Sequence, residues 1–259
     1  MTSDPSELLQ ADEAEPAQVI AGAPSSPFLI TCDHAGQVLP RALGTLGLTR
    51  AELDTHIAWD IGASGVARRL GAALEAFVIL QTYSRLAIDC NRPLGVESSI
   101  AKTSEHIVIP GNQSVSADEA ALRARSIFAP YHRRIEQELG RREAARLPTT
   151  LVAIHSFTPR FLGVARPWHA GVLYNRDRRL AEIMLALLRR EPGLVIGDNQ
   201  PYSVNDLSDY GVVMYGERRG FPHVELEIRQ DLITSEAGQV EWAERLARLR
   251  REASTALAG

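Results

Sequence analysis

Short apolar runs rich in β-branched residues alternate along most of this chain with longer segments of helical periodicity. The predicted strands cover residues 28–32, 77–81, 86–90, 151–155, 171–174, 194–196 and 224–228. The predicted helices cover residues 61–76, 117–139, 178–190 and 240–257. Strands that alternate with helices predict an α/β fold, with a largely parallel sheet covered by helices on both faces. No linker interrupts the pattern, so residues 25–259 are predicted to form a single domain.

The predicted helix 117–139 carries two further signals. Ser116, followed by Glu119 three residues later, is typical of a capping box at the start of a helix. Pro130 lies well inside the segment, where it predicts a kink or two shorter helices.

Composition excludes several classes of protein. The first 24 residues are rich in Asp, Glu, Ala, Pro and Ser, and they lack the basic region and apolar run of a signal peptide, so we expect a mobile tail. The net charge of −4 argues against a nucleic-acid partner, and no apolar stretch is long enough to span a membrane. Cys32 and Cys90 form no CxxC motif, which favours a reducing cytoplasm as the setting.

Two predicted strands end in histidine. Asp33 and His34 follow the first strand, and His155 and Ser156 end the run LVAIHS. In open α/β sheets, ligands collect at the carboxyl ends of the strands, so the two imidazoles are candidates for one site. Neutral imidazole suits Zn²⁺ and other divalent metals. The alternative is that each histidine is a hydrogen-bonded structural residue.

The predicted strand at 224–228 carries carboxylates on one face. Glu225, Glu227 and Arg229 share that face because side chains alternate along a strand. A carboxylate beside a metal could take a proton from water and pass it to a leaving amine, and Glu227 or Glu225 suits this role. Alternatively, both could line the open face of an edge strand.

Two further segments offer groups for a substrate. Arg85, Asn91 and Arg92 stand within YSRLAIDCNRP, and guanidinium groups bind carboxylates and developing oxyanions. Asn199 and Tyr202, in GDNQPYS, follow another strand. The alternatives are a surface loop with an Asp89–arginine pair for the first segment, and ordinary turn residues for the second.

Seven segments form an ordered set: CDHAGQVLP, HIAWDIGA, YSRLAIDCNRP, APYH, IHSFTP, GDNQPYS and ELEIRQDL. In this order, they resemble the N-formylglutamate amidohydrolase family over about residues 28–235. That family is related to zinc carboxypeptidases and aspartoacylase-type deacylases. The resemblance implies a three-layer α/β/α sandwich with a mixed, mostly parallel sheet of about eight strands. It also implies hydrolysis of an amide that joins a small acyl group to an amino acid such as glutamate.

The resemblance also implies roles for individual residues. It gives Asn91 and Arg92 a substrate role, and Arg85 one by its place upstream. It makes His155 a metal ligand beside His34. It favours Glu227 over Glu225 as the catalytic carboxylate.

The chain departs from the carboxypeptidase pattern at one ligand. That pattern begins His-x-x-Glu, whereas Gln37 stands three residues after His34, and glutamine is a poor zinc ligand. Asp60 is the preferred replacement, Asp33 is the second choice, and the third alternative is that no protein group replaces it. Asp60 could instead cap the helix that starts near it.

The favoured hypothesis is a zinc-dependent amidohydrolase acting on a small N-acyl amino acid, N-formyl-L-glutamate first. Glu227 would act as general base, Arg92 with Asn91 would stabilise the oxyanion or orient the substrate, and Arg85 would bind a carboxylate. The alternatives are a deacylase for another acyl group and a metal-free binding or regulatory protein on the same fold. The departure at Gln37 motivates the last of these.

Overall fold

The apolar runs form a mixed seven-stranded sheet. The structure, a computed structural model, describes residues 7–258 and the side chains of residues 7–253. The strands are β1 (Ala17–Ile20), β2 (Phe28–Cys32), β3 (Phe77–Gln81), β4 (Thr103–Ser104), β5 (Ile107–Val108), β6 (Thr150–Phe157), β7 (Arg160–Phe161), β8 (Val164–Ala165), β9 (Ala170–Leu173), β10 (Ile196–Asp198) and β11 (His223–Arg229). The main sheet has the order β1-β3-β2-β6-β11-β9-β10, while β4 pairs with β5 and β7 with β8 in two small hairpins.

The sheet is mostly parallel. Strand β1 runs antiparallel to β3, and β11 runs antiparallel to β9; the other neighbours in the main sheet are parallel. This confirms the predicted mixed α/β sheet, with seven strands where about eight were expected.

Helices cover both faces of the sheet. The α-helices are α1 (Arg50–Leu53), α2 (Ala63–Leu74), α3 (Ala117–Arg123), α4 (Ala129–Ala144), α5 (Arg179–Leu188) and α6 (Glu236–Ala258). Short 3-10 helices cover Arg41–Leu43, Glu97–Ile100, Pro110–Asn112 and Gln230–Leu232, and π-helical segments cover Ala124–Phe128 and Val212–Glu217.

Two apolar cores separate the three layers. Ile30 of β2 faces a core shared with α2, α5 and α6, whereas its neighbour Leu29 faces a second core that includes Tyr131 and Ile135 of α4. Adjacent residues of a strand point to opposite faces, so a strand buried on both sides reads as a continuous apolar run. The α/β/α sandwich is therefore confirmed.

The predicted helix 117–139 is interrupted, as Pro130 indicated. The π-helical segment Ala124–Phe128 separates α3 from α4, and Pro130 is the second residue of α4, where a missing amide hydrogen is tolerated. At the start of α3, the Ser116 hydroxyl accepts a hydrogen bond from the Glu119 amide (3.2 Å). Only the N-cap half of the predicted capping box is therefore formed, because the Glu119 carboxylate pairs with Arg123 (2.6 Å) instead of returning to the Ser116 amide.

The predicted strand at residues 86–90 is wrong. This apolar stretch is an irregular buried loop, in which the Ser84 hydroxyl accepts from the Leu86 amide (3.1 Å) and the Asn112 amide group donates to the Leu86 carbonyl (2.9 Å). Side chains thus satisfy backbone groups that a strand would have paired with a neighbour.

The predicted mobile tail is also wrong for the described part of residues 1–24. Residues 17–20 form β1 along the edge of the sheet, and Leu8 is buried in the second core. The Tyr83 hydroxyl donates to the Ala14 carbonyl (2.7 Å), and the Thr82 amide donates to the Pro16 carbonyl (2.9 Å). The folded unit therefore begins well before residue 25; residues 1–6 lie outside the described part.

Within the described residues, no helix combines the length and apolarity needed to cross a bilayer. Cys32 and Cys90 are both buried free thiols.

Candidate active site

Strands β2 and β6 deliver the two histidines to one place. They are parallel neighbours, so their carboxyl ends lie at the same edge of the sheet, with His34 just beyond β2 and His155 near the end of β6. Glu227 of β11 is the register partner of His155 across the next parallel pair. All three side chains are buried, which brings together residues that are far apart in sequence.

Gly36, two residues after His34, lets the chain pass close to the backbone of Thr82. A Cβ atom on Gly36 would lie 1.8 Å from the Thr82 carbonyl oxygen, so any side chain there would displace backbone. We expect Gly36→Ala to lower the free energy of unfolding by at least about 2 kcal/mol in urea denaturation. The matched control is Gly140→Ala in α4, where no atom lies within 4 Å of the added Cβ; it should raise stability by about 0.5–1 kcal/mol. Equal effects at the two positions would contradict this reading.

His34, Asp60 and His155 form a compact group whose possible ligand atoms all lie within 4.8 Å of one another. The Asp60 Oδ2 atom is 3.4 Å from His34 Nδ1 and 2.9 Å from His155 Nδ1. The Asp60 amide donates to the His34 carbonyl (2.9 Å), and the Ser156 amide donates to Asp60 Oδ2 (3.2 Å). These bonds hold the carboxylate between the imidazoles. Gly62, not Asp60, is the N-cap of α2.

A second carboxylate lies behind each histidine. His34 Nε2 is 2.7 Å from Asp89 Oδ1, and His155 Nε2 is 3.5 Å from Asp33 Oδ2. Tyr131 donates a short hydrogen bond to the other oxygen of Asp33. Metal-binding histidines commonly show this arrangement, because an outer carboxylate fixes the ring orientation and tautomer.

The three-residue group fits a divalent metal. His34 Nδ1 is buried without a hydrogen-bond partner, which is costly unless some other group satisfies it. Two nitrogens and one carboxylate oxygen match the three protein ligands of a catalytic zinc site. Bonds of about 2.0–2.2 Å in tetrahedral geometry place ligand atoms roughly 3.4 Å apart, close to the separation of His34 Nδ1 and Asp60 Oδ2.

The electrostatics of the group also favour a cation. Burial raises the pKa of Asp60, but the two histidines outweigh burial and bring that pKa well below its usual range. Burial lowers the pKa of His155, but Glu225, Asp33 and Asp60 outweigh it and hold that pKa well above 6.5. The buried cluster therefore stabilises positive charge at its centre.

The group opens into a cavity of about 490 Å³ whose lining is strongly acidic. Its carboxyl groups belong to Asp60, Asp89, Glu105, Asp209, Glu225 and Glu227. Burial raises the pKa of Glu227 to about 7, and Glu227 Oε2 has no hydrogen-bond partner. The strand carrying Glu225 and Glu227 is central and both residues are buried, so the alternative of an open edge face is wrong.

The loop of residues 84–92 supplies the cationic side of the cavity. Arg85 lies 2.7 Å from Asp89 and 3.6 Å from Asp60, so two carboxylates neutralise it beside the metal-binding group. Arg92 also lines the cavity, and its guanidinium donates to the backbone carbonyls of Asn91 and Ser208. The Asn91 Oδ1 atom accepts from the Tyr210 and Gly211 amides, which ties this loop to the segment that follows residue 203.

The remaining predicted residues differ in their placement. Tyr202 lines the cavity. Asn199 does not; its side-chain oxygen accepts from the Tyr174 amide (3.0 Å), as expected of a turn residue. Gln37 does not line the cavity either, whereas Asp60, the preferred replacement, lies between the two histidines.

Sequence reasoning missed three residues in or next to the site. Asp89 lies behind His34, Tyr131 holds Asp33, and Arg166 donates to the Tyr202 hydroxyl (2.9 Å). Asp89 and Tyr131 lie within the segments DCNRP and APYH, which were part of the family resemblance. The resemblance therefore pointed to these segments but did not indicate what the two residues do. Nothing in the local sequence marks Arg166.

The chain is similar to known proteins in sequence and fold. The profile of N-formylglutamate amidohydrolase matches residues 26–234. The structure of a gene product of Agrobacterium tumefaciens is 34% identical, with 98% of this chain and 100% of that chain covered and a TM-score of 0.94. An N-formylglutamate amidohydrolase from Ralstonia eutropha JMP134 shares the fold at 17% identity, with 93% and 98% covered and a TM-score of 0.64. No curated protein matches the chain in sequence.

The family profile covers most of the chain, and its span contains every residue of the His34–Asp60–His155 group together with Glu227. The resemblance drawn from the seven segments is thereby confirmed. The protein belongs to the N-formylglutamate amidohydrolase family.

Proposed function

We propose that the protein hydrolyses the amide bond of a small N-acyl amino acid, with N-formyl-L-glutamate as the first candidate, releasing formate and L-glutamate. The observation that carries this proposal is the convergence of His34, Asp60 and His155 with Glu227 in one cavity. Family membership supports the reaction class.

His34, His155 and Asp60 would hold a divalent metal, zinc in the first instance. When bound, the metal supplies Lewis acidity, which polarises the acyl carbonyl and lowers the pKa of a water molecule. Asp89 and Asp33 would orient the two imidazoles through their outer nitrogens.

Glu227 would move the proton. Its carboxylate takes a proton from the attacking water as the water oxygen bonds to the acyl carbon. It returns that proton to the amine nitrogen as the C–N bond breaks, so the amine leaves neutral. A pKa near 7 suits both halves of this transfer at neutral pH.

The two arginines of the loop would bind different parts of the substrate. Arg85, beside Asp60, is the nearer to the metal-binding group and would stabilise charge on the acyl oxygen. Arg92 is farther along the loop and no carboxylate of the described residues lies within 4.0 Å of its guanidinium, so it would bind the α-carboxylate together with Asn91. This exchanges the roles that the sequence suggested for the two arginines.

Amine release from a panel of N-acyl amino acids tests the reaction and the acyl group together. With formyl-, acetyl- and succinyl-L-glutamate, we expect the formyl compound to be hydrolysed fastest. Preference for another acyl group would assign a different deacylase. No amine release from any of them would overturn the proposal in favour of a binding or regulatory protein.

Metal removal tests the proposed cofactor. The purified protein should contain about one divalent metal per chain. Chelation should abolish amine release, and added Zn²⁺ should restore it, because the histidine–aspartate group is the proposed ligand set. Full activity in metal-free protein would contradict the assignment.

A further inference from the structure

Arg166 lies in an aromatic cage next to the active-site cavity. Its guanidinium carbon is 4.6 Å from the centre of the Phe161 ring, 4.8 Å from that of Tyr202 and 5.9 Å from that of Phe157. The residue is only 9% exposed. The Arg166 amide donates to the Pro159 carbonyl (2.9 Å), which fixes the base of the hairpin formed by β7 and β8.

This buried cation has no acidic partner in the described part of the chain. No carboxylate oxygen there lies within 4.0 Å of its guanidinium, and its one side-chain hydrogen bond goes to the Tyr202 hydroxyl (2.9 Å). Burying a charge is expensive unless it is paired, and stacking on aromatic rings offsets only part of the cost. Ring stacking also leaves the in-plane N–H groups of a guanidinium available to an anion.

The cage adjoins the cavity that holds the proposed catalytic group. Tyr202 and Phe161, two of its three rings, line the same cavity as His155 and Glu227. Arg92 on the cavity wall is likewise without a carboxylate partner among the described residues, whereas Arg85 is neutralised by Asp89 and Asp60. Two guanidinium groups are thus not neutralised: Arg92 on the cavity wall, and Arg166, which does not itself line the cavity but contacts Phe161 and Tyr202, which do.

We infer that Arg166, oriented by Tyr202, binds the side-chain carboxylate of the substrate and makes the enzyme selective for N-acyl derivatives of acidic amino acids. This inference rests on the proposed function for the identity of the reaction. Arg92 holds the α-carboxylate and Arg166 holds the second carboxylate, so a dicarboxylate satisfies both cations while a neutral side chain leaves Arg166 buried and unpaired. Arg166 is a specificity-determining residue that takes no part in bond making or breaking.

The kinetic test compares N-formyl-L-glutamate with its neutral isostere N-formyl-L-glutamine. Wild-type protein should prefer the glutamate compound by about 100-fold in kcat/KM, as a charge-assisted pair in a desolvated site implies. In Arg166→Gln this preference should fall below about 3-fold, through loss of activity on the glutamate compound alone. Arg166→Lys, which keeps a cation in the cage, should retain a preference of about 10-fold.

The matched control is Arg160→Gln. Arg160 belongs to the same hairpin, is exposed, and donates to the Gly163 carbonyl (2.9 Å) without lining the cavity. It should keep the wild-type preference. An equal loss on both substrates in Arg166→Gln, or an unchanged preference, would overturn the inference.

A binding experiment separates this inference from the proposed function. Calorimetry of the metal-loaded protein with glutarate and with butyrate should show glutarate binding at least about 30-fold tighter, and this difference should disappear in Arg166→Gln. If the wild-type protein hydrolyses no N-formyl amino acid but shows this difference, the proposed function fails and the assignment of Arg166 stands. No difference between the two ligands in wild-type protein would overturn the assignment. If Arg166→Gln does not fold, Tyr202→Phe, at a residue that is 42% exposed, should still reduce the preference for glutarate by several-fold.

Discussion

Replacing Glu227 with glutamine should lower kcat for amide hydrolysis by about 10³-fold while KM changes by less than about threefold. A positioned general base contributes about 10²–10⁴-fold, and the amide cannot take the proton from water or return it to the amine. Because Glu227 Oε2 is buried without a hydrogen-bond partner, the substitution breaks no hydrogen bond of that oxygen. Steady-state amine release over a range of N-formyl-L-glutamate concentrations measures both constants.

The matched comparison is Glu225→Gln, two residues away on the same face of β11. Glu225 Oε2 lies 3.9 Å from His155 Nε2, the ring nitrogen that points away from Asp60. Its loss should disturb the orientation of His155 and cost about 10-fold in activity, at the low end for an outer-shell change. If Glu225→Gln were the more damaging variant, the roles of the two glutamates would have to be exchanged.

The thermal stability of Glu227→Gln provides an internal control. Burial raises the pKa of Glu227 to about 7, so in the folded protein ionisation of this carboxyl is disfavoured relative to the unfolded chain. The ionised group therefore opposes folding at pH values above its unfolded pKa, and a neutral amide of the same shape does not. Tm at pH 8 should not fall, so a loss of activity could not be attributed to unfolding.

The sequence predicted most of the sheet because buried parallel strands leave a clear pattern. The runs at 28–32 and 77–81 coincide with β2 and β3. The expectation that ligands collect at the carboxyl ends of strands pointed to His34, His155 and Glu227, and these residues line one cavity. The strand predicted at 86–90 was wrong because a buried loop can be as apolar as a strand. Strand β1 was missed because three of its four residues are only partly buried, so its pattern is weak.

The rest of the site depends on contacts that no local pattern records. Asp60 reaches the histidines because its amide bonds to the His34 carbonyl and its carboxylate accepts from Ser156, both across the fold. The cage around Arg166 draws rings from β6, β7 and the loop after β10. Such contacts are visible only when the order of the strands in the sheet is known. The family resemblance could therefore locate the segments of the site without assigning a role to each residue in them.

Asp60→Asn should reduce the affinity for the divalent metal by at least about 10³-fold, and amide hydrolysis should fall with it at limiting metal. The substitution keeps the shape of the side chain, but Oδ2, which accepts from the Ser156 amide and lies between His34 Nδ1 and His155 Nδ1, becomes part of a neutral amide instead of an anionic carboxylate. Loss of a direct ligand should exceed the roughly 10–100-fold effect typical of an outer-shell residue. Metal titration against a chelating dye measures the affinity of folded protein, with circular dichroism as the check on folding.

Asp33→Asn is the variant that decides between the two acids. Asp33 lies 3.5 Å from His155 Nε2 and accepts from Tyr131, so it lies on the outer side of the ring whose other nitrogen faces Asp60. Its substitution should weaken metal binding by about 10–100-fold, as expected of an outer carboxylate. If Asp33→Asn abolished metal binding and Asp60→Asn left it intact, the ligand set would be His34, Asp33 and His155. The buried carboxylate between the imidazoles would then serve to orient them, which is the reverse of what the contacts of Asp60 imply.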